Sequence, residues 1–362
     1  MFFKSEEGST RQLIEFCTGY FFLYTITGLT VKYFTGDTTS GYPGMSDIQY
    51  LVYNTIGGNM IALVIVLALK WYKLQTNNYI TLIGFKVPSE FLYIIPSGIC
   101  TAIVIPTTTL MYTLPISVMV AMVIMRGSII VISRMIDAVQ IWQGILKKRV
   151  YWEENVAVVF AIFAVLANLV NVKPGSFDFV GSPAAMTILI SYLTAYSIRI
   201  YLMNYYKNTR AKGVKQDNKA FFAVEQIAAT FTMILIGLFI YNSPTIAGWT
   251  APQILQFRES FTMPHSFWFW AGVSGFAFGL LAFFSVFIFM FKGRTATFAG
   301  LVNRLTSLIA GTAATLLFAV FWGGKFPEAD DWITLGFILI AVAFLTKAEK
   351  KRSIELKTES KQ

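Results

Sequence analysis

The chain has 362 residues, 56% of them hydrophobic and only 13% charged, about half the charge of an ordinary soluble domain. That composition excludes a soluble globular protein and points to a polytopic membrane protein. The net charge of +10, which in a soluble chain would suggest a nucleic-acid partner, has to be read from where the lysines and arginines lie.

Ten apolar runs have roughly the 20-residue length that one helix needs to cross a bilayer core. They lie near 13–32, 49–69, 89–111, 115–138, 154–172, 183–204, 220–241, 267–291, 296–321 and 332–346. The start, Met1 to Glu7, has no basic region with a small-residue cleavage site, so the first span is expected to be retained. Cys17 and Cys100 fall inside spans and read as small hydrophobes, with neither a disulfide framework nor metal spacing. Connections are short except after the seventh span, where Thr250 to Leu255 predicts a short capped helix at the interface. Four connections hold only Lys32, Lys173, Arg258 and Lys325, and four arginines (Arg126, Arg134, Arg199 and Arg304) lie within spans or their extensions. Every other lysine and arginine, Lys147, Lys148 and Arg149 included, falls in the alternate connections or the tails. The positive-inside rule then predicts ten spans with both termini cytoplasmic.

An internal repeat runs through this pattern. Ser117 to Arg126 in the fourth span spaces like Thr295 to Arg304 in the ninth, and Trp152 and Trp332 open the spans that follow. Asn54-Thr55-Ile56-Gly57-Gly58-Asn59 lines up with Glu225-Gln226-Ile227-Ala228-Ala229-Thr230. The fold class expected is all-α integral membrane, ten transmembrane helices as two inverted five-helix repeats. The first is 1–172 and the second 173–346, with 347–362 as a charged cytoplasmic tail. Five spans is an odd number, so the halves must be inverted, the layout of secondary transporters with a midplane site. Nine residues at 1.5 Å rise put each arginine about 14 Å deep from opposite faces, near the middle of a core about 30 Å thick.

A charge at that depth faces water, a partner or a substrate. On the fourth span Arg126, Ser133, Asp137 and Gln140 share one face, read either as a cavity wall or as a polar network in which Asp137 neutralises Arg134. On the ninth, Asn303, Arg304 and Ser307 are polar, and Ser307, Gly311 and Thr315 form a small-residue ladder suited to packing. Arg304 either binds substrate or snorkels to the inner surface. Glu225, beside Gln226, could pair with Arg304, bond a substrate or carry a proton. Glu15 and Arg199, about a turn from span ends, read as interfacial anchors. Tyr192 and Tyr196 share a face and either stack a ligand or pack between helices. Pro96 and Pro106 disturb the third span, with Thr107, Thr108 and Thr109 able to bond freed groups, while Gly275 and Gly279 mark the eighth as a hinge or close-packing site. No zinc-protease pair and no phosphate-cradling glycine loop occurs, which argues against a metalloprotease or an ATP-driven pump, and the chain is expected not to be an enzyme.

This pattern resembles the drug/metabolite transporter superfamily (EamA-like chains included), and within it the nucleotide-sugar transporters. Gly300-Leu301-Val302-Asn303-Arg304 is similar to the Gly-Ala-Leu-Asn-Lys motif of the GDP-mannose transporters. The resemblance implies that Asn303 and Arg304 contact the sugar-phosphate part of a ligand, and arginine for lysine keeps the charge and adds bidentate geometry. Ala223-Val224-Glu225-Gln226 stands where that family has Phe-Tyr-Asn-Asn to read the base. The expectation is therefore an alternating-access transporter of a polar anionic metabolite, such as a nucleotide sugar or another phosphorylated compound. Its binding residues are Arg126, Arg304, Asn303, Glu225, Gln226, Tyr196 and Asn54. An amino-acid or drug exporter and a non-transporting scaffold are the alternatives. No cofactor, metal or nucleic acid is expected; the partners are a small-molecule substrate and membrane lipid, with a homodimer left open. The absence of Asn-x-Ser/Thr acceptors and of a terminal dilysine favours a bacterial inner membrane.

Overall fold

The computed structural model describes residues 8–359, apart from 83, 117, 148–149, 171–177, 212 and 328. Ser117, Lys148, Arg149, Lys173, the segment Met1–Glu7 and the 172/173 boundary therefore lie outside the described residues. The helices are α1 (Thr10–Thr35), α2 (Asp47–Ala68), α3 (Phe91–Thr113), α4 (Val118–Trp142), α5 (Trp152–Val170), α6 (Pro183–Asn208), α7 (Asn218–Ile246), α8 (Pro252–Thr262), α9 (Trp268–Phe289), α10 (Ala296–Trp322) and α11 (Ala329–Glu359). Among the described residues nine helices are long and apolar enough to cross a membrane, and the chain is a multi-pass membrane protein in architecture. The tenth long helix, α5, has 19 residues and opens on Glu153 and Glu154.

Local chemistry sets the helix starts. Ser9, Ser46, Ser182 and Thr295 each accept a hydrogen bond from the N–H three residues on, and Asp217 accepts from Lys219 and Ala220. Helix α8 begins with Pro252 in its first turn and has no side-chain cap at Ala251. In α3 the hydroxyls of Thr107, Thr108 and Thr109 donate to the carbonyls of Ile103, Val104 and Ile105, around the disturbance at Pro106.

The 70–90 connection contains a hairpin, in which β1 (Tyr79–Leu82) and β2 (Phe85–Pro88) pair antiparallel with Tyr79 opposite Pro88. Tyr, Ile, Thr, Phe and Val favour strands, and Gly84 at φ +82° takes the left-handed turn position between them. The described part of the expected charged tail continues α11, which runs to Glu359 with several of its charges paired. Arg294 donates to Glu349 at 2.9 and 2.5 Å, Tyr151 to Glu355 at 2.7 Å, and Lys351 pairs with Glu153.

Helix packing pairs α2 with α9, α3 with α7, α1 with α9, α3 with α6, α1 with α10, α4 with α6, α4 with α10 and α5 with α11. Close backbone approach makes the two inner seams. A Cβ on Gly275 would run into the Asn54 carbonyl oxygen, and one on Gly98 would meet the Glu225 carbonyl oxygen and the Ala228 side chain at 2.6 Å. The glycines of α9 are thus packing positions, as small residues between membrane helices usually are. Gly311 on the α10 ladder likewise lies against Met122 and Met119 of α4.

Connections expected on one side gather at one end of the bundle, hereafter the basic end. There Glu90 accepts hydrogen bonds from the Thr76 hydroxyl, from the Asn77 N–H at 2.6 Å and from Arg210 at 2.5 Å, tying the hairpin to the 209–217 connection. Asp137, buried in the part of α4 toward the basic end, accepts from the N–H groups of Ala296 and Thr297 at 2.9 and 2.5 Å and so caps α10. It does not neutralise Arg134, whose Nε donates to Asn155 at 2.7 Å. The first-turn amides of α10 have no intrahelical partner and are the stronger claim on a buried carboxylate. At the other end Tyr42 donates to the Trp322 carbonyl, Lys32 to the Leu114 carbonyl and Tyr53 to the Ser260 carbonyl.

Two outcomes follow. Gly275→Leu forces α2 from α9 and lowers the melting temperature in detergent by several degrees or prevents folding; Gly336→Ala, with open space around it, does not, and equal effects would refute the seam. Burial alone would push the Glu90 carboxyl up, but hydrogen bonds from Thr76, Asn77 and Arg210 outweigh it and hold the group below the usual glutamate range. Its stabilisation is therefore complete above that range and disappears as pH falls through the depressed value. The melting-temperature gap between wild type and Glu90→Gln is full at neutral pH and closes in acid; a gap that ignores pH would show the clamp to be uncharged.

Candidate functional site

Three arginines meet in the middle of the bundle, each in different surroundings. Arg126 on α4 is 1% exposed and donates to three phenols: Tyr192 of α6, Tyr24 of α1 and, at 3.1 Å, Tyr112 of α3. Arg199 on α6 holds Glu225 of α7 in a two-pronged pair at 2.9 and 2.8 Å. Arg304 on α10 is 0% exposed, and none of its three guanidinium nitrogens has a hydrogen-bond partner among the described residues. Its guanidinium carbon lies 4.2 Å from the ring centre of Tyr196 and 5.1 Å from that of Phe289. Ring faces attract a cation but accept no N–H bond of ordinary strength.

Tyr196 joins the groups. Its ring faces Arg304, its hydroxyl accepts from Arg199 at 3.3 Å, and its ring centre is 5.1 Å from that of Tyr192. Asn303, next to Arg304, accepts from Tyr20 at 3.0 Å and donates to Ser285 at 3.2 Å. Tyr20 in turn packs edge-on against Tyr24 at 4.8 Å. Both arginines thus sit within one set of tyrosines drawn from α1, α3 and α6.

A cavity of about 40 Å³ lies among them, with Arg126, Arg199, Tyr196, Gln226, Thr101 and Ser285 as its main polar lining. That volume holds water but not a metabolite, so a larger ligand requires the helices to part. Of the expected site residues, Arg126, Gln226 and Tyr196 line this space. Arg304 lies behind Tyr196, Asn303 behind Ser285, and Glu225 behind Arg199. Gln226 donates to Asn59 at 2.7 Å. Asn54 is elsewhere, in the α2–α9 seam, donating to Tyr50 and Ser274 at 3.1 and 3.2 Å.

Two expectations are corrected. Glu225 pairs with Arg199 and not with Arg304, and Arg199 is a buried partner, 5% exposed, instead of an interfacial anchor. The reason is depth and adjacency. Arg199 and Glu225 each stand about two turns from the connection that joins α6 to α7, so they lie level, whereas α10 packs on α4 and α1. Ser97 of α3 adds a 2.5 Å hydrogen bond to the same carboxylate. Sequence reasoning also missed Tyr20, Tyr24 and Tyr112. The signal for the first two was available: they stand four apart on α1 as Tyr192 and Tyr196 do on α6, the first helix of each expected half.

Counting charges in this centre gives three guanidiniums and one carboxylate, Glu225, among the described residues. No group of three or more His, Cys, Asp or Glu side chains there could hold a metal ion. No protein-family model matches the chain and no curated protein matches it. A solved structure titled "Crystal structure of protein" aligns over 95% of this chain and 99% of its own, at 14% identity and a TM-score of 0.49. A likeness that weak identifies neither fold family nor function.

The three arginines separate in stability. Arg199→Leu leaves Glu225 buried and unpaired and costs about 3–5 kcal/mol, much of it recovered in Arg199→Leu with Glu225→Leu. Arg304→Met removes a charge with no acid partner and leaves the resting protein as stable or more so in thermal unfolding. A loss for Arg304→Met as large as that for Arg199→Leu would mean that Arg304 is a structural cation.

Proposed function

We propose that this chain is a secondary transporter that moves a polar, anionic metabolite by alternating access. The observation that carries the reading is the unmatched charge: Arg126 has only phenols and Arg304 only ring faces, while the nearby carboxylate is taken by Arg199. An arginine buried in a membrane protein without an acid is a site for an anion by default. A guanidinium with all its donors unused matches phosphate or carboxylate in bidentate fashion.

In this reading the ten long helices are two inverted five-helix halves, 1–172 and 173–346. Several relations support it. The helix pairs come in exchange-related couples: α2 with α9 is the counterpart of α3 with α7, α1 with α9 of α3 with α6, and α1 with α10 of α4 with α6. Of the other cross pairs, α4 with α10, α5 with α11 and α2 with α7 join counterparts directly. Thr230 donates to Asn59 at 3.1 Å, and these two residues are equivalent in the sequence alignment of the halves. Substrate sites of inverted-repeat transporters lie at such an interface. The excess of lysine and arginine at the basic end favours placing that end, with both termini, in the cytoplasm, and the absence of Asn-x-Ser/Thr acceptors and of a terminal dilysine favours a bacterial inner membrane.

A phosphorylated compound such as a nucleotide sugar is the first substrate to test, on the similarity of Gly300 to Arg304 to the nucleotide-sugar transporter motif. The base-reading position does not carry over, because Glu225 is bound to Arg199 and Gln226 to Asn59. The same pairing weakens the amino-acid or drug exporter alternative, which needs Glu225 for a cation or a proton. The small size of the central cavity favours the non-transporting scaffold.

Proteoliposomes with purified protein decide among them. Uptake of anionic nucleotide sugars or phosphate esters, tenfold or more lower in Arg126→Gln with Arg304→Gln, is the expected result. Full uptake by that double variant would refute the anion site; transport of amino acids alone would select the exporter; no transport of either would select the scaffold.

A further inference from the structure

A second and larger cavity, about 400 Å³, opens at the basic end between α1, the start of α7 and the end of α9. Its walls carry Lys215, Lys219 and Lys292 and one acid, Asp217, whose carboxylate accepts from the N–H groups of Lys219 and Ala220, and its aromatic floor is Phe16, Phe287 and Phe291. Its volume falls in the range of metabolite sites. The same three helices line the central cavity further along: Tyr24 follows Phe16 on α1, Phe222 and Gln226 follow Lys219 on α7, and Ser285 and Leu281 precede Phe287 on α9. The two spaces are therefore stacked. Between Phe16 and Tyr24 the eight-residue separation is about 12 Å of helix.

What divides them is a layer of rings. Phe16 of α1 meets Phe284 and Phe287 of α9 and Phe291 just beyond its end at 6.2, 5.6 and 6.2 Å between ring centres, and Phe222 of α7 meets Phe283 at 5.8 Å. The opposite flank of the basic end is built otherwise, from the Asp137 cap on α10, the Thr295–Glu154 hydrogen bond and the Arg294–Glu349 and Arg352–Glu154 pairs. Parting rings leaves no charge unmatched, whereas parting that flank strands buried charges. The end of α9 is meanwhile tied to the second half, since Gln216 and Asn218 both donate to the Met290 carbonyl and Lys207 to that of Phe289. Motion across the ring layer thus separates α1 from α7 and α9 together.

We propose that the lysine-walled cavity is the basic-end mouth of the transport path, where the anion is collected, and that the Phe16–Phe287 contact is the gate beneath it. The collecting role rests on the anion-transport reading; the gate does not. Lys219 and Lys292 raise the local anion concentration by charge alone, with a gain that salt screens. The rings then admit the ligand only when α1 moves away from α9. The ion-paired flank acts as the hinge.

The test reads passage without needing the natural substrate. A reporter cysteine, Thr101→Cys in the central cavity, is placed in a Cys17→Ala, Cys100→Ala background and labelled from the basic face with impermeant methanethiosulfonates, one anionic and one neutral. Phe287→Ala is expected to raise labelling several-fold. A Phe16→Cys, Phe287→Cys disulfide is expected to lower it at least tenfold, with recovery when the bond is reduced before labelling. Lys219→Gln with Lys292→Gln should slow the anionic reagent several-fold against the neutral one. Labelling indifferent to both Phe287→Ala and the cross-link overturns the gate, and an unchanged anionic-to-neutral ratio overturns the collecting role. Gated labelling in a protein that moves no anion would instead overturn the transport reading and leave the gate standing.

Discussion

A guanidinium stays charged at any accessible pH, so burying three of them at the centre of a bundle is costly unless each is offset. Everything at the centre of this molecule is arranged around that requirement. Arg199 has a carboxylate, gripped at both oxygens and steadied by Ser97. Arg126 has three phenols, which satisfy hydrogen bonds without cancelling charge. Arg304 has the faces of Tyr196 and Phe289 and unused donors. This ordering, from fully neutralised to unsatisfied, separates an arginine that holds the fold from arginines held for something else.

The helices tolerate this because the rest of the bundle is tightly joined where it can be. The α2–α9 and α3–α7 seams bring backbone against backbone through Gly275 and Gly98, giving close dispersion contact where lipid and side chains offer no hydrophobic gradient. At the basic end the tail helix, α5 and the start of α10 are tied together by buried ion pairs and a carboxylate cap. The α1–α9 contact is different in kind, being rings on rings. A molecule so built has rigid seams, one charged flank and one soft flank, and the soft flank lies over the arginines.

Much of this was legible beforehand because membrane chains write their spans in hydropathy and their sides in lysine and arginine. The spans near 49–69, 89–111 and 183–204 correspond closely to α2, α3 and α6. The burial of Arg126 and Arg304 followed from their depth, and the packing role of Gly311 from its spacing. The partner of Glu225 was misread because the repeat drew attention to Arg304, while the nearer arginine, Arg199, lay level with it across a single connection. Asp137 was misread for a related cause. Its neighbour in sequence, Arg134, was an obvious partner, but the free amides of α10 are far along the chain and close in space.

The sequence by itself determined a multi-pass membrane architecture, roughly where most of its long helices begin and end, and that Arg126 and Arg304 stand deep within two of them. These are properties of local composition and of helical rise, which need no tertiary contact. Only the tertiary structure decided which arginine is neutralised, that five tyrosines surround the others, that the tail is a docked helix, and which flank of the basic end is bound by charge and which by rings. Those outcomes depend on which helices are neighbours, and neighbours across a bundle are set by the packing of whole faces, with residues such as Tyr24 and Arg126 about a hundred positions apart meeting at a single point.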